Sequence, residues 1–157
     1  MTYRILPLPL APFAPLFTLD DEALLKLGAR RMTADAPNSA PCRVSLIDAA
    51  PGERLILLNH AHLDAPSSPY RATGPIFVRE GATEAELAPD SIPPMLANRL
   101  LSTRAYDVDV MLIDADVVPG ETLDQRLRLW LADRRVATVH LHTARRGCYM
   151  ARAARAD

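Results

Sequence analysis

The sequence predicts an α+β fold, one domain over residues 1–157, with a largely antiparallel sheet of about six to eight strands and two or three short helices. Three observations carry this expectation. β-rich runs dominate, and many are joined by connections of hairpin length. Helical spacing of apolar residues occurs in only three separated stretches. The chain is 157 residues long, 49% hydrophobic and 24% charged, which suits one globular core, and no linker, repeat or low-complexity tract divides it.

Tyr3 to Leu8 reads as a first strand, with prolines that suit an edge. After a proline-rich connection, Thr18 or Asp20 can cap a helix whose apolar stripe is Leu24, Leu25 and Leu27 and which ends at Gly28. Cys42–Asp48 and Glu53–Asn59 are two β-rich runs joined by 49–52, which predicts a hairpin. Both faces of the second run are apolar, so it belongs in the middle of a sheet. Gly74–Arg79 is a further strand, and Ser91–Leu101 a short helix entered through Pro93 and Pro94. Thr103–Asp107 and Val110–Val118 are β-rich, and Thr122 can cap a helix over Leu123–Asp133 with Leu127, Trp130 and Leu131 inward. Gly74-Pro75 and Pro119-Gly120 read as turn chemistry. The chain closes on a hairpin within Val136–Arg152.

Formal net charge is -1, with 18 basic and 19 acidic residues scattered along the chain, which argues against nucleic acid or a membrane surface as partner. The proline-broken N-terminal segment does not read as a secretion signal. Cys42 and Cys148 are too few for a disulfide scaffold, so a reduced, cytoplasmic protein is expected. An apolar sheet edge offers the alternative of a dimerising or purely structural protein.

The C-terminal hairpin gathers the most chemistry. Residues two apart on a strand share a face, so His140 and His142 point the same way. A three-residue loop, Arg145-Arg146-Gly147 with its glycine in the left-handed conformation, would pair Ala144 with Cys148 and put Cys148 on the histidine face, with His142 opposite Met150 and His140 opposite Arg152. Cys148 would then serve as thiol nucleophile or redox centre with His142 as base, His140 beside it. A one-residue slip would dissolve the group. The competing role for the cysteine is that of a small buried hydrophobe.

His60-x-His62 and His140-x-His142, with Asp64 nearby, have the residue types of a zinc site, but two-residue spacings arise easily and no metal ligand set is assigned. Tyr70-Arg71, Arg104-x-Tyr106 and Arg145-Arg146 place arginine beside aromatic or acidic groups, a pattern suited to a small anionic ligand. Asp107, Asp109, Asp114 and Asp116 read as turn and surface residues. No phosphate-cradling loop, nucleophile elbow or zincin helix is present, and these residues leave any cofactor unknown. A ligand-binding or interaction role leads, and neither an enzymatic reaction nor a homo-oligomeric state is fixed by these residues.

Pro41-Cys-Arg-Val-Ser-Leu46, the segment from Ser68 to Glu80, Arg104-Ala-Tyr-Asp107 with Asp114-Ala-Asp116, and His140 to Tyr149 together resemble a family of short bacterial proteins, domain of unknown function family 1203. The resemblance spans nearly the whole chain. It implies a single full-length domain and transfers no catalytic residue.

Overall fold

The computed structural model describes residues 1–156, and its strands form two antiparallel sheets. In chain order the strands are β1 (Tyr3–Leu6), β2 (Arg30–Thr33), β3 (Arg54–Leu63), β4 (Ala72–Arg79), β5 (Leu100–Tyr106), β6 (Leu112–Pro119), β7 (Thr138–Thr143) and β8 (Tyr149–Arg155). Three short helices are interspersed: α1 (Asp21–Lys26), α2 (Pro94–Ala97) and α3 (Leu123–Ala132). The five-stranded sheet has the order β1-β8-β7-β5-β6, and the three-stranded one β2-β3-β4. The α+β class and the element count agree with the sequence reading, but the eight strands divide between two sheets. No helix among the described residues is long and apolar enough to cross a membrane.

One face of the larger sheet is covered by α3. Leu123, Leu127, Trp130 and Leu131 fall at helical spacing and are buried against Leu101, Ala105, Val139, Leu141, Ala151 and Ala153. Full burial of each such leucine contributes about 1.5–3 kcal/mol. Thr122 does not cap α3 with its side chain, because its hydroxyl donates instead to the Pro119 carbonyl. Gly120 is more than a turn residue. A Cβ there would sit 2.0 Å from the Leu96 carbonyl oxygen, so only glycine lets α2 lie against the entry to α3.

The hairpin expected between Cys42–Asp48 and Glu53–Asn59 does not form. Residues 42–46 instead make a buried turn, closed by Leu46 N–H donating to the Cys42 carbonyl, with Leu46 at φ +52°. The turn is stitched to β4 by Arg43 N–H on the Phe77 carbonyl and to the N-terminal segment by Leu8 N–H on the Arg43 carbonyl. β3 pairs instead with β2 and β4. β2, Arg-Arg-Met-Thr, lacks the apolar pattern that marks a strand because it is a mostly exposed edge. The predicted helix over Ser91–Leu101 contracts to α2, since β5 begins at Leu100. Asp20, one of the two expected caps, closes the start of α1 by accepting from Ala23 N–H at 2.8 Å, but of the expected stripe this six-residue helix buries only Leu24 and leaves Leu25 and Leu27 exposed.

Candidate functional site

The β7–β8 hairpin has a register the sequence reading only partly anticipates. His140 faces Arg152 as expected, and Leu141 faces Ala151, but His142 faces Tyr149. β8 therefore carries one extra residue, Met150, which joins Ala151 in the core. Thr143 N–H donates to the Cys148 carbonyl and Gly147 N–H to the Thr143 carbonyl, so the connection is the four-residue turn 144–147 rather than three residues. Gly147 takes the left-handed conformation at φ +74° that was predicted for it. The bulge turns Tyr149 onto the histidine face, while Cys148 lines a cavity together with Thr143.

Two sites flank the hairpin. The first is a cluster of rings on the face turned away from α3. His62, brought in by β3, lies 5.2 Å from His142 and 6.4 Å from His140 between ring centroids. Tyr149 stacks on His62 at 5.2 Å and meets His140 and His142 edge-on at 5.3 and 5.7 Å. Tyr106 packs edge-on against His140, and Tyr70 against Tyr106. His140 is 3% exposed and His142 1%.

The electrostatics follow from that burial. Desolvation, reinforced for His140 by its two histidine neighbours and Arg152, pushes His140 down to about 3 and His142 down to about 4. His62 is also lowered, again chiefly by burial. Tyr149 is pushed up to about 12 by the same cause. All three imidazoles are therefore neutral near pH 7. His142 Nδ1 donates to the Gly147 carbonyl at 2.9 Å, which leaves its Nε2 bearing the lone pair. That nitrogen, with Nδ1 of His62 and of His140, is buried without a hydrogen-bond partner among the described residues.

The two His-x-His pairs do not join into one ligand set. His60 turns to Phe13, edge-on at 5.6 Å, and Asp64 is held by Arg71. Among the described residues no three His, Cys, Asp or Glu side chains are arranged to hold one ion.

The second site is a cavity of about 540 Å³ at the turn end of the hairpin, whose wall includes Arg43, Phe77, Arg99, Arg145, Arg146 and Cys148. Arg99 is committed to Asp48, with which it makes paired bonds of 2.6 and 2.8 Å. Arg43, Arg145 and Arg146 have no carboxylate partner among the described residues. Arg43 is 3% exposed. Its Nε donates to the Tyr149 carbonyl at 2.7 Å and its Nη1 to the Pro41 carbonyl, while Nη2, which is not among the fully enclosed atoms, meets no acceptor among the described residues. Burial pulls this guanidinium down to about 10, so it still carries its charge at neutral pH.

The predicted residues are thus sorted into three places. Arg145, Arg146 and Cys148 share the cavity. His140, His142, Tyr106 and Tyr70 share the ring cluster, where the charge of Arg104 acts on Tyr106 and all three histidines. Arg71 belongs to neither, since it pairs at 2.8 Å with Asp64 and both side chains are more than half exposed. The pairing of Cys148 with His142 is not built: the thiol donates to the Arg146 carbonyl at 4.0 Å, and the imidazole is turned to the Gly147 carbonyl. Arg43 and Tyr149 were missed. A single arginine inside the otherwise apolar run Cys42-Arg-Val-Ser-Leu46 is a signal that could have found the first. Asp107 accepts from Asp109 and Met111 N–H in a turn, and Asp116 pairs with Arg126, consistent with turn and surface roles.

An α+β protein with a free-arginine cavity beside a neutral histidine cluster is the class that fold and site define. The family model described as "Protein of unknown function (DUF1203)" matches residues 39–155, and the chain belongs to that family. No curated protein and no solved structure matches it.

Proposed function

We propose that this chain binds a small organic anion, a carboxylate or phosphate ester, in the cavity bounded by Arg43, Arg145 and Arg146. Arg43 carries the proposal. A guanidinium withdrawn from water without a counter-ion is unfavourable by several kcal/mol unless its donors are met. Two of its nitrogens are met by carbonyls, which offer no compensating charge, and Nη2 has no acceptor among the described residues. An anion in the cavity supplies both the charge and the missing acceptor, in the forked geometry arginine favours. The exposed Arg145 and Arg146 stand at the wall where they can pair with it, and Phe77 and Leu100 offer apolar surface to its organic part. The two free thiols, Cys42 and Cys148, support placing this function in the reducing cytoplasm of a bacterial cell.

The test is a thermal-shift panel of inorganic phosphate, nucleoside monophosphates and short dicarboxylates. A ligand at 100 times its Kd stabilises by about 2.7 kcal/mol, which for a chain of this size raises Tm by roughly 5–10 °C. The expected result is such a shift for at least one anion, lost in an R145A/R146A double variant that folds normally. No shift at millimolar anion, or a shift untouched by the double substitution, overturns the proposal.

A further inference from the structure

The cavity contains a thiol that anion binding alone does not use. We propose that Cys148 exchanges with low-molecular-weight disulfides whose organic arms carry carboxylates, so that the cavity holds such a group as a mixed disulfide; this rests on the anion-binding reading above. The two cysteines differ sharply. Cys42 is fully buried, and its sulfur accepts N–H donations from Ser45 and Arg79 at 3.5 and 3.3 Å. Cys148 is partly exposed and lies in the wall of the cavity itself. In the same wall stands the nine-tenths-buried Arg43, whose Nη2 meets no acceptor among the described residues, and Arg145 and Arg146 precede the cysteine by three and two residues. A disulfide drawn in by its carboxylates would therefore present its sulfurs to Sγ, because anion recognition and nucleophile share one wall. The volume of about 540 Å³ lies within the range that takes a small organic molecule.

The step balances within these partners. Cys148 Sγ, having given its proton to solvent, attacks one sulfur of the incoming disulfide. A new S–S bond joins Cys148 to that sulfur as the original S–S bond breaks. The other arm departs as a thiolate and takes a proton from solvent. Cys148 is oxidised from thiol to disulfide, and the departing arm is reduced. Cys42, enclosed by backbone, is not placed to resolve the adduct, so a second small thiol from solution reverses the step.

The experiment uses the full chain and intact-mass spectrometry. Reduced protein is mixed with glutathione disulfide, whose arms are anionic, or with cystamine, whose arms are cationic, at equal concentration. The expected outcome is one glutathionyl group, mapped to Cys148 and absent in C148S, formed at least about tenfold faster than the cystamine adduct. That preference should shrink toward unity in R145A/R146A. An adduct on Cys42, no adduct, or equal rates with the two disulfides overturns the inference. A second measurement separates it from the reading it rests on: thermal shift of C148S with S-methylglutathione. If C148S is stabilised but wild-type protein forms no adduct, the exchange falls and the anion cavity stands. If neither occurs, glutathione-type anions are excluded from both.

Discussion

The two flanks of the C-terminal hairpin bury ionisable side chains in opposite ways. In the ring cluster, His140 and His142 meet desolvation by giving up the proton, so that packing among aromatic rings proceeds without a charge to compensate. In the cavity, Arg43 has no such escape. Even pulled down to about 10 it remains cationic near pH 7. Burial therefore makes the histidines part of the core and leaves the arginine a buried cation, which the proposed anion would compensate. A buried basic residue reads as a binding group when it cannot neutralise itself, and as packing when it can.

The largest expected effect falls on the packed flank. Tyr149 is 2% exposed and has three imidazoles between 5.2 and 5.7 Å from its ring centroid. Y149A should destabilise by about 3–5 kcal/mol in chemical denaturation, as large-to-small core changes do. Y149F should stay within about 1 kcal/mol, since the hydroxyl makes no hydrogen bond among the described residues. A Y149A effect below 1 kcal/mol would mean that the cluster is not close-packed.

The same flank sets a pH dependence. The folded-state values of His140 and His142, about 3 and 4, lie below the ordinary histidine value near 6.5. Between those limits the unfolded chain binds more protons than the folded one. Stability is thus fully present above about pH 6.5 and is lost as pH falls toward 3. Tm should drop by at least about 5 °C between pH 7 and pH 5. H140L should flatten that slope by roughly half. An unchanged slope would show that the imidazoles are not held neutral.

The cavity flank should respond in the other register, through binding. R43M keeps an apolar stem of similar length and removes the charge. It loses the bonds to the Tyr149 and Pro41 carbonyls but also an uncompensated buried cation, and these nearly cancel. Unliganded stability should therefore change far less than in Y149A, while affinity for whichever anion shifts Tm falls at least about tenfold. Retained binding in R43M would place the anion on Arg145 and Arg146 alone.

What the sequence could show follows the same division. The α+β class, the central place of β3, the inward stripe of α3 and the left-handed Gly147 were legible, because periodicity and glycine conformation are local properties. The site was legible as a set of residues but not as an arrangement. A single inserted residue, Met150, moved Tyr149 into the histidines and left Cys148 with the arginines, and no local pattern marks a bulge of that kind. The Cys42–Asp48 strand failed for a related reason. Its alternating apolar residues are buried by a turn wedged against β4 rather than by a ladder, and alternation alone does not distinguish the two.

Arg71 supplies the smallest expected effect and the control that sharpens the comparison. By sequence it looked as much an anion ligand as Arg145 or Arg146, sitting beside Tyr70 in a turn-rich loop. Its guanidinium is instead paired with Asp64, both side chains are more than half exposed, and Tyr70 packs toward Tyr106. Exposed pairs of this kind contribute little after side-chain entropy and screening by salt. R71A should shift stability by no more than about 0.5 kcal/mol and leave the anion-induced Tm shift intact. Loss of that shift in R71A would move the binding site from the hairpin's turn to the 64–71 loop. The distinction between paired and unpaired arginines, rather than arginine content, would then have misplaced the ligand.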